Sequence, residues 1–364
     1  MASFKNVFAS WRGVVVAGLA IGVLAAVLQK LGNPGNMGIC TACFERDIAG
    51  ALGLHRAAVV QYLRPEIIGF VLGALIAAQV FGEFRSRTGS APVVRFVLGA
   101  CAMIGSLVFL GCSWRAMLRL AGGDGNAIFG VLGLIGGIWI GTLFMRKGYG
   151  LGRTQKAHAA TGWVLPVIML GLLALRLLCP PLEGEAMSGV LFYSLEGPGA
   201  QYAALALSLC AGLGIGFLAQ RSRFCTVGAF RDLILFRSPH LLWGVLALAA
   251  AAFVTNLIVG QFNPGFKGQP VAHTAGLWNF AGMVLAGLAF ALAGGCPGRQ
   301  LIMAGEGDGD AAVFVLGMIV GAGLAHNLGL ASSPKGVGPH GITAVVAGLV
   351  VCLLIGFTMR ESTE

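Results

Sequence analysis

The sequence predicts an all-α integral membrane protein of about 9–10 transmembrane helices, arranged as two inverted five-helix repeats with re-entrant loops that form an hourglass pathway. The observations behind this prediction are long apolar runs, an internal repeat, and glycine-rich breaks beside repeated cysteines. Of 364 residues, 57% are hydrophobic and 10% are charged, whereas soluble domains have about 25% charged residues. So few charges exclude an ordinary water-soluble surface.

Ten apolar runs are long enough to cross a hydrocarbon core of about 30 Å, which takes about 20 helical residues. They cover residues 13–30, 66–82, 94–110, 127–145, 162–178, 200–219, 241–260, 278–294, 312–330 and 341–359. Backbone polar groups in lipid must be satisfied within their own element, and the runs lack the period-2 alternation of barrel strands. The runs therefore predict helices, with the lipid bilayer as the protein's surroundings.

The formal net charge of +10 does not indicate a nucleic-acid partner, because the basic residues lie in short clusters beside the apolar runs. Such clusters are typical of orientation signals. With a cytoplasmic N-terminus, the inside segments hold most of them: Lys5, Arg12, Arg85, Arg87, Arg95, Arg146, Lys147, Arg153, Lys156, Arg221, Arg223, Arg231 and Arg237. Residues 180–199 then lie outside and contain three Glu and no Lys or Arg. Arg46, Arg56 and Arg64 also fall outside and count against this orientation.

An internal repeat divides the chain into two halves. Cys40-Thr41 and Arg46-Asp47 recur 185 residues later as Cys225-Thr226 and Arg231-Asp232. Gly111-Cys112 and Arg115 recur 184 residues later as Gly295-Cys296 and Arg299. We predict an N-terminal repeat at 1–179, an external connector at 180–199 and a C-terminal repeat at 200–364, all in one structural unit. Five spans per half reverse the second half relative to the first, which places a substrate site near the midplane.

The repeated motifs lie in Gly-rich and Pro-rich backbone, which is tolerated at membrane depth only around protein or a wet cavity. We therefore predict a substrate pathway through Cys40, Cys112, Cys225 and Cys296, together with Cys43. The supporting residues are Arg46, Arg115, Arg231, Arg299, Gly111 and Gly295. Polarizable thiols suit solutes that contain sulfur or selenium, and helix N-termini suit anionic oxygens. The arginines could raise the local anion concentration or pair with Asp47, Asp124, Asp232 and Asp308.

Other interpretations of these residues remain open. Cys40 and Cys43 form a CxxC, which is typical of a redox pair or half of a zinc site. No second zinc half and no nucleotide, haem or dinucleotide motif occurs in the sequence, so we predict no metal and no cofactor. The acidic run at residues 306–310 favours a polar turn with a helix N-cap over a calcium loop. Cysteines without a repeat partner are interpreted as small buried hydrophobes: Cys101, Cys179, Cys210 and Cys352.

The paired cysteine motifs resemble the sulphur-transport repeats of the YeeE/YedE family, and the resemblance covers nearly the whole chain. The segment GNPGNMGICTACFERD at residues 32–47 is most similar to the YedE branch, which is associated with selenium transport. The YeeE branch is associated with thiosulfate uptake through an hourglass lined by cysteines. Cys43, and Trp114 opposite Gly298, depart from strict repeat symmetry. The resemblance implies a multi-pass protein of the bacterial inner (plasma) membrane and a TusA-like cytoplasmic sulfur-carrier protein as partner.

Three functional hypotheses follow. The first is a transporter, not an enzyme, that passes a small selenium-containing or sulfur-containing inorganic species, such as a selenium compound or thiosulfate, along its thiols. The second is a membrane thiol-disulfide or persulfide oxidoreductase that uses Cys40 and Cys43. The third is a passive channel or structural subunit, which would be distinguished by testing whether the purified protein alone moves solute into liposomes.

Overall fold

The computed structural model describes residue 8 and residues 10–360 of the chain. Within these residues the protein is mostly helical and contains no closed sheet. Lys5, one of the basic residues used to predict orientation, lies outside the described residues.

Fourteen α-helices occur in the described part of the chain, seven in each half. Those of the first half are α1 (Trp11–Lys30), α2 (Thr41–Ala51), α3 (Pro65–Val80), α4 (Pro92–Phe109), α5 (Ser113–Ala121), α6 (Asn126–Arg146) and α7 (Ala159–Leu178). Those of the second half are α8 (Leu205–Ser222), α9 (Thr226–Phe236), α10 (His240–Ile258), α11 (Gly276–Ala293), α12 (Pro297–Gly305), α13 (Gly309–Asn327) and α14 (Gly341–Thr358). Two small antiparallel hairpins pair β1 (Arg87–Thr88) with β2 (Gln155–Lys156), and β3 (Met187–Ser188) with β4 (Leu191–Phe192).

Nine segments in the described part of the chain are helical, long and apolar enough to cross a membrane. Three of them are consecutive helices separated by a short break, at Pro92–Ala121, Leu205–Phe236 and Gly276–Gly305. The one remaining predicted run, at 66–82, forms the 16-residue helix α3, which is shorter than the other spans. The chain is thus a multi-pass helical protein with a span number in the predicted range.

The helices of the two halves correspond closely. The bounds of α4 and α5 recur in α11 and α12 with a shift of 184 residues at every end. Close contacts recur in the same way: a Cβ at Gly133 would lie 2.2 Å from the carbonyl oxygen of Phe280, and one at Gly317 would lie 2.2 Å from that of Phe96. Gly133 thus lets α6 approach α11, and Gly317 lets α13 approach α4, so closely that the paired helices are in contact through their backbones.

The loops gather at two ends of the molecule. At one end, the β1–β2 hairpin joins the segments after α3 and α6, and Arg146 donates to the carbonyl of Ile234 at 3.1 Å. At the other end, Arg56 lies over the ring of Phe192 at 4.4 Å, and the Gln61 backbone N–H donates to Ser194 at 2.7 Å. Basic segments therefore share one end, and the acidic connector lies at the other. Which end faces the cytoplasm stays a prediction.

Candidate functional site

All four repeated cysteines occupy the same structural position, the residue immediately before a short helix. Cys40 is the N-cap of α2, Cys112 of α5, Cys225 of α9 and Cys296 of α12. Each is buried. The N-terminus of a helix carries partial positive charge and unpaired backbone N–H groups. Each sulfur therefore lies where a helix can stabilise negative charge.

The first-half cluster consists of Cys40, Cys43 and Cys112. The Sγ atoms of Cys40 and Cys112 are 3.7 Å apart, and Thr41 donates its hydroxyl to the sulfur of Cys112 at 3.1 Å. The backbone N–H of Cys43 donates a hydrogen bond to the sulfur of Cys40 at 3.4 Å. Arg115 approaches the sulfur of Cys43 at 3.6 Å. Three thiols thus lie together, surrounded by hydrogen-bond donors.

The second-half cluster consists of Cys225 and Cys296. The sulfur of Cys225 accepts from the backbone N–H groups of Gly228 at 3.2 Å and Cys296 at 3.5 Å. The sulfur of Cys296 accepts from the backbone N–H of Arg299 at 3.4 Å. Gly228 stands at the repeat position of Cys43, so this cluster has two thiols where the first has three.

The two clusters meet through residues next to the cysteines. Thr226 donates its hydroxyl to Ser113 at 2.7 Å, which links the start of α9 to the start of α5. The fully buried ring of Trp114 packs edge-on against Phe224, with centroids 5.6 Å apart. It also fills the space beside its repeat mate, since a Cβ at Gly298 would lie 2.6 Å from the indole. The departure from repeat symmetry at Trp114 and Gly298 is therefore complementary packing at the centre.

The repeated glycines make room for the repeated arginines. A Cβ at Gly111 would lie 2.9 Å from Cδ of Arg115, and one at Gly295 would lie 3.2 Å from Cγ of Arg299. The two arginines have different partners. Arg115 donates to backbone carbonyls of irregular segments, including Asn36 at 3.0 Å and Leu110, so it holds the breaks beside the thiols in place.

The other predicted supporting arginines bind carboxylates. Arg46 pairs with Asp47 at 2.6 Å. Arg231 pairs with Asp232 at 2.8 Å, in a more exposed position. Arg299 contacts Glu306 at 3.0 Å. The remaining aspartates of the repeated motifs pair with arginines that the repeat did not single out, because Asp124 binds Arg119 at 2.7 Å and Asp308 binds Arg87 at 2.7 Å.

Asp308 also has a structural role at the start of a helix. Asp308 caps α13 by accepting from the backbone N–H of Ala311 at 3.0 Å, in agreement with the predicted polar turn. Of the cysteines without repeat partners, Cys101 and Cys352 are buried as predicted and contact each other. Cys179 is only half-buried and Cys210 is exposed, so the prediction of a buried side chain is wrong for these two. Within the described residues, no group of three or more His, Cys, Asp or Glu side chains is arranged so that it could hold a metal ion.

A polar vestibule of about 390 Å³ opens at the end of the molecule that carries the basic segments. It is lined by Glu83, Arg85, Arg87, Arg223, Arg299 and Glu306. Arg223 bridges Glu83 at 2.9 Å and Glu306 at 2.7 Å. Arg299 links this vestibule to the thiols, because its side chain lines the cavity while its backbone N–H binds Cys296. Four arginines against two glutamates favour the approach of an anion.

The carboxyl of Glu83 is held in its charged form. Burial acts to raise its pKa, but hydrogen bonds from Arg221 and Gln220 and the charges of Arg221 and Arg223 outweigh burial and lower the pKa below its usual value. At neutral pH the vestibule therefore contains negatively charged Glu83 paired with positively charged arginines.

A family model for sulphur transport matches residues 221–358. The matched region contains Cys225, Cys296, Arg299 and the vestibule residues Arg223 and Glu306. No curated protein matches the chain. The family match, together with the nine apolar helices, supports a multi-pass membrane transporter for sulfur.

Proposed function

We propose that the protein transports a small sulfur-containing or selenium-containing inorganic anion, of the thiosulfate or selenite kind, along the thiols of its two cysteine clusters. The observation that carries this proposal is that four buried cysteines each stand at a helix N-terminus, in two clusters that are joined by the hydrogen bond from Thr226 to Ser113. A helix N-terminus offers N–H donors and positive potential to anionic oxygens. The adjacent thiol offers a weak donor and a polarizable partner for a terminal sulfur or selenium atom.

The proposed pathway is an hourglass formed by an inverted repeat. The recurrence of helix bounds and of close glycine contacts in the two halves supports such a relationship. In this arrangement, α2 dips back from the end that carries the connector, and α9 dips back from the vestibule end. Cys40 and Cys225 then approach the centre from opposite faces, and Cys112 and Cys296 lie at the breaks of spanning helices.

The vestibule is the proposed cytoplasmic mouth of the pathway, and the N-terminus is proposed to be cytoplasmic. The clustering of basic segments at this end agrees with the positive-inside rule. A TusA-like cytoplasmic sulfur carrier would collect the solute here, beside Arg299 and Arg223. The protein would then lie in the bacterial inner membrane, as the family resemblance implies.

Uptake of labelled thiosulfate or selenite into proteoliposomes tests the proposal. Cys112→Ala and Cys296→Ala should each lower uptake by about tenfold or more, because each loses a hydrogen bond to an anion of about 1.5–3 kcal/mol. Cys210→Ala is the matched control, since Cys210 is exposed and remote in sequence from the motifs. Full uptake by both pathway variants would refute the proposal. Solute movement by the purified protein alone would also exclude a purely structural role.

A thiol-disulfide or persulfide oxidoreductase is the second candidate, and the grouping of three thiols in the first-half cluster favours it. Cys40 lies next to both Cys43 and Cys112. Under this alternative, Cys43→Ser should abolish activity and a mixed disulfide should be trapped at Cys43. Under the transport proposal, Cys43→Ser should retain most of the uptake, because its repeat mate Gly228 has no thiol at all.

A further inference from the structure

Glu45 is a buried carboxyl with no partner. It lies on α2, one turn after the first-half cluster begins, and its exposure is 0%. Neither carboxyl oxygen has a hydrogen-bond partner among the described residues. An isolated carboxylate in such a place is very costly, and ionisable groups inside membrane proteins mark ion or proton pathways by default. The protonated carboxyl is therefore the less costly form of Glu45 in this place.

The arginines that contact α2 or the first-half cluster are already engaged. Arg46 and Arg64 both bind the single carboxylate of Asp47, at 2.6 and 2.8 Å. Arg115 is bound to backbone carbonyls and to the sulfur of Cys43. Glu45 is thus left out of an ion-pair network that it adjoins. It lies on the helix that Cys40 caps, and the sulfur of Cys40 is 3.7 Å from that of Cys112.

The other titratable side chains on elements packed against α2 contact groups other than Glu45, although Nε2 of His326 is itself buried without a hydrogen-bond partner. Glu66 on α3 accepts from Asn33, Arg95 on α4 donates to Ser90, Cys101 on α4 contacts Cys352, Arg299 on α12 binds Glu306, Asp310 on α13 accepts from Thr88, and His326 on α13 stacks on His55. None of these side chains gives Glu45 a hydrogen bond, so its carboxyl has no fixed partner beside the first-half cluster.

The repeat shows that this carboxyl is not required by the scaffold. The residue at the corresponding position of α9 is Phe230, and that helix forms with the same length and the same cysteine cap. A packing role alone would be met by an apolar side chain, as it is in the second half. The carboxyl at Glu45 adds a chemical group that the fold does not need.

We propose that Glu45 is a proton-carrying site that couples the movement of one proton to the movement of each anion past Cys112. This inference rests on the proposed transport function and deepens it. An anion beside Cys112 repels a carboxylate and so favours protonated Glu45. By reciprocity, protonated Glu45 favours the bound anion. The proton is bound from the connector end, and it leaves Glu45 for the vestibule end when the anion leaves, so both move in the same direction.

The test uses the full-length protein in liposomes that contain a pH-sensitive dye, with thiosulfate as the probe. Wild-type protein should acidify the lumen when thiosulfate is added outside. Glu45→Gln, which mimics the protonated carboxyl, should retain exchange of labelled thiosulfate between equal pools and lose the acidification. Glu196→Gln, at an exposed position of the connector, is the matched control and should behave as wild type.

Acidification by Glu45→Gln equal to that of wild type would overturn the inference. If Glu45→Gln loses exchange as well, Glu45→Asp decides: restored acidification supports a proton carrier, and loss of both activities refutes it. Exchange by the wild type tests the transport proposal separately from the acidification. Should wild-type protein move neither thiosulfate nor selenite, infrared spectra still test the proton itself, because the carbonyl band of a buried protonated carboxyl must disappear in Glu45→Gln.

Discussion

The first-half and second-half clusters are built on the same backbone but carry different charges. In the first half, Asp47 is fully buried between two arginines, and Glu45 stands unpaired beside the thiols. In the second half, the equivalent Asp232 is partly exposed with one arginine, and Phe230 replaces the carboxyl. The repeat thus fixes the sulfurs and helix N-termini. The side chains on α2 and α9 after each cysteine differ, so that the charged groups of the first half are buried and those of the second half are partly exposed to solvent.

The largest expected difference between the halves concerns these two aspartates. Asp47→Asn should lower the free energy of unfolding by about 3–5 kcal/mol, because it leaves Arg46 and Arg64 buried without a full counter-charge. Asp232→Asn should cost about 1 kcal/mol or less, since its ion pair with Arg231 is reached by solvent. Thermal unfolding of both variants in the same detergent measures the difference.

Equal melting temperatures for the two variants would contradict the sealed character of the first-half cluster. Asp47→Glu provides the matched control, because it keeps the negative charge and changes only the length of the side chain. It should recover part of the stability that Asp47→Asn loses.

A smaller effect is expected where the halves touch. Gly298→Ala places a methyl group against the ring of Trp114, which is itself enclosed by Phe70 and Phe224. Overpacking of this kind costs about 1–3 kcal/mol, from which the better helix propensity of Ala recovers at most about 1 kcal/mol. The variant should therefore unfold at a lower temperature than wild type.

Gly214→Ala is the opposite case and serves as its control. Gly214 lies inside α8, and a Cβ there would meet no atom within 4 Å. This variant should be as stable as wild type or slightly more so. If Gly298→Ala were equally harmless, the central ring would have room to move, and the close contact between the two halves would be looser than described.

Much of this architecture could be predicted from the sequence, because apolar run length and the repeat are local properties. The apolar runs predicted the spanning helices, apart from the short α3. The cysteines were identifiable because the repeat retained them. A thiol beside a helix start is also readable locally, from Gly and Pro before it and helix-compatible residues after it.

The partners of the charged residues could not be predicted, since they depend on which helices meet. Asp124 binds Arg119, five residues earlier, and Asp308 binds Arg87 from the other half. Glu45 drew no attention in the sequence, because only the packing around it shows that it lacks a partner. One signal was nevertheless present: the repeat replaces Glu45 by Phe230, and a carboxyl confined to one half of a duplicated apolar protein is a candidate for function.

The smallest expected effect concerns the vestibule, where charges are close to water. The pKa of Glu83 is lowered in the folded protein, so its contribution to stability is fully present above the unfolded value of about 4.3 and is lost as the pH falls through the folded value. The contribution is about 1 kcal/mol or less, because solvent and salt screen the pairs with Arg221 and Arg223.

Melting temperatures of wild type and Glu83→Gln, measured from pH 7 to below the folded pKa of Glu83, should converge at the acid end of the series. Added salt should narrow their difference at pH 7, whereas the cost of Asp47→Asn should change little with salt, because the first-half pairs are buried. A Glu83→Gln protein with the same pH dependence as wild type would mean that Glu83 does not hold the vestibule arginines. A salt effect at Glu83 without one at Asp47 would instead identify the vestibule as the part of the pathway that exchanges with solvent.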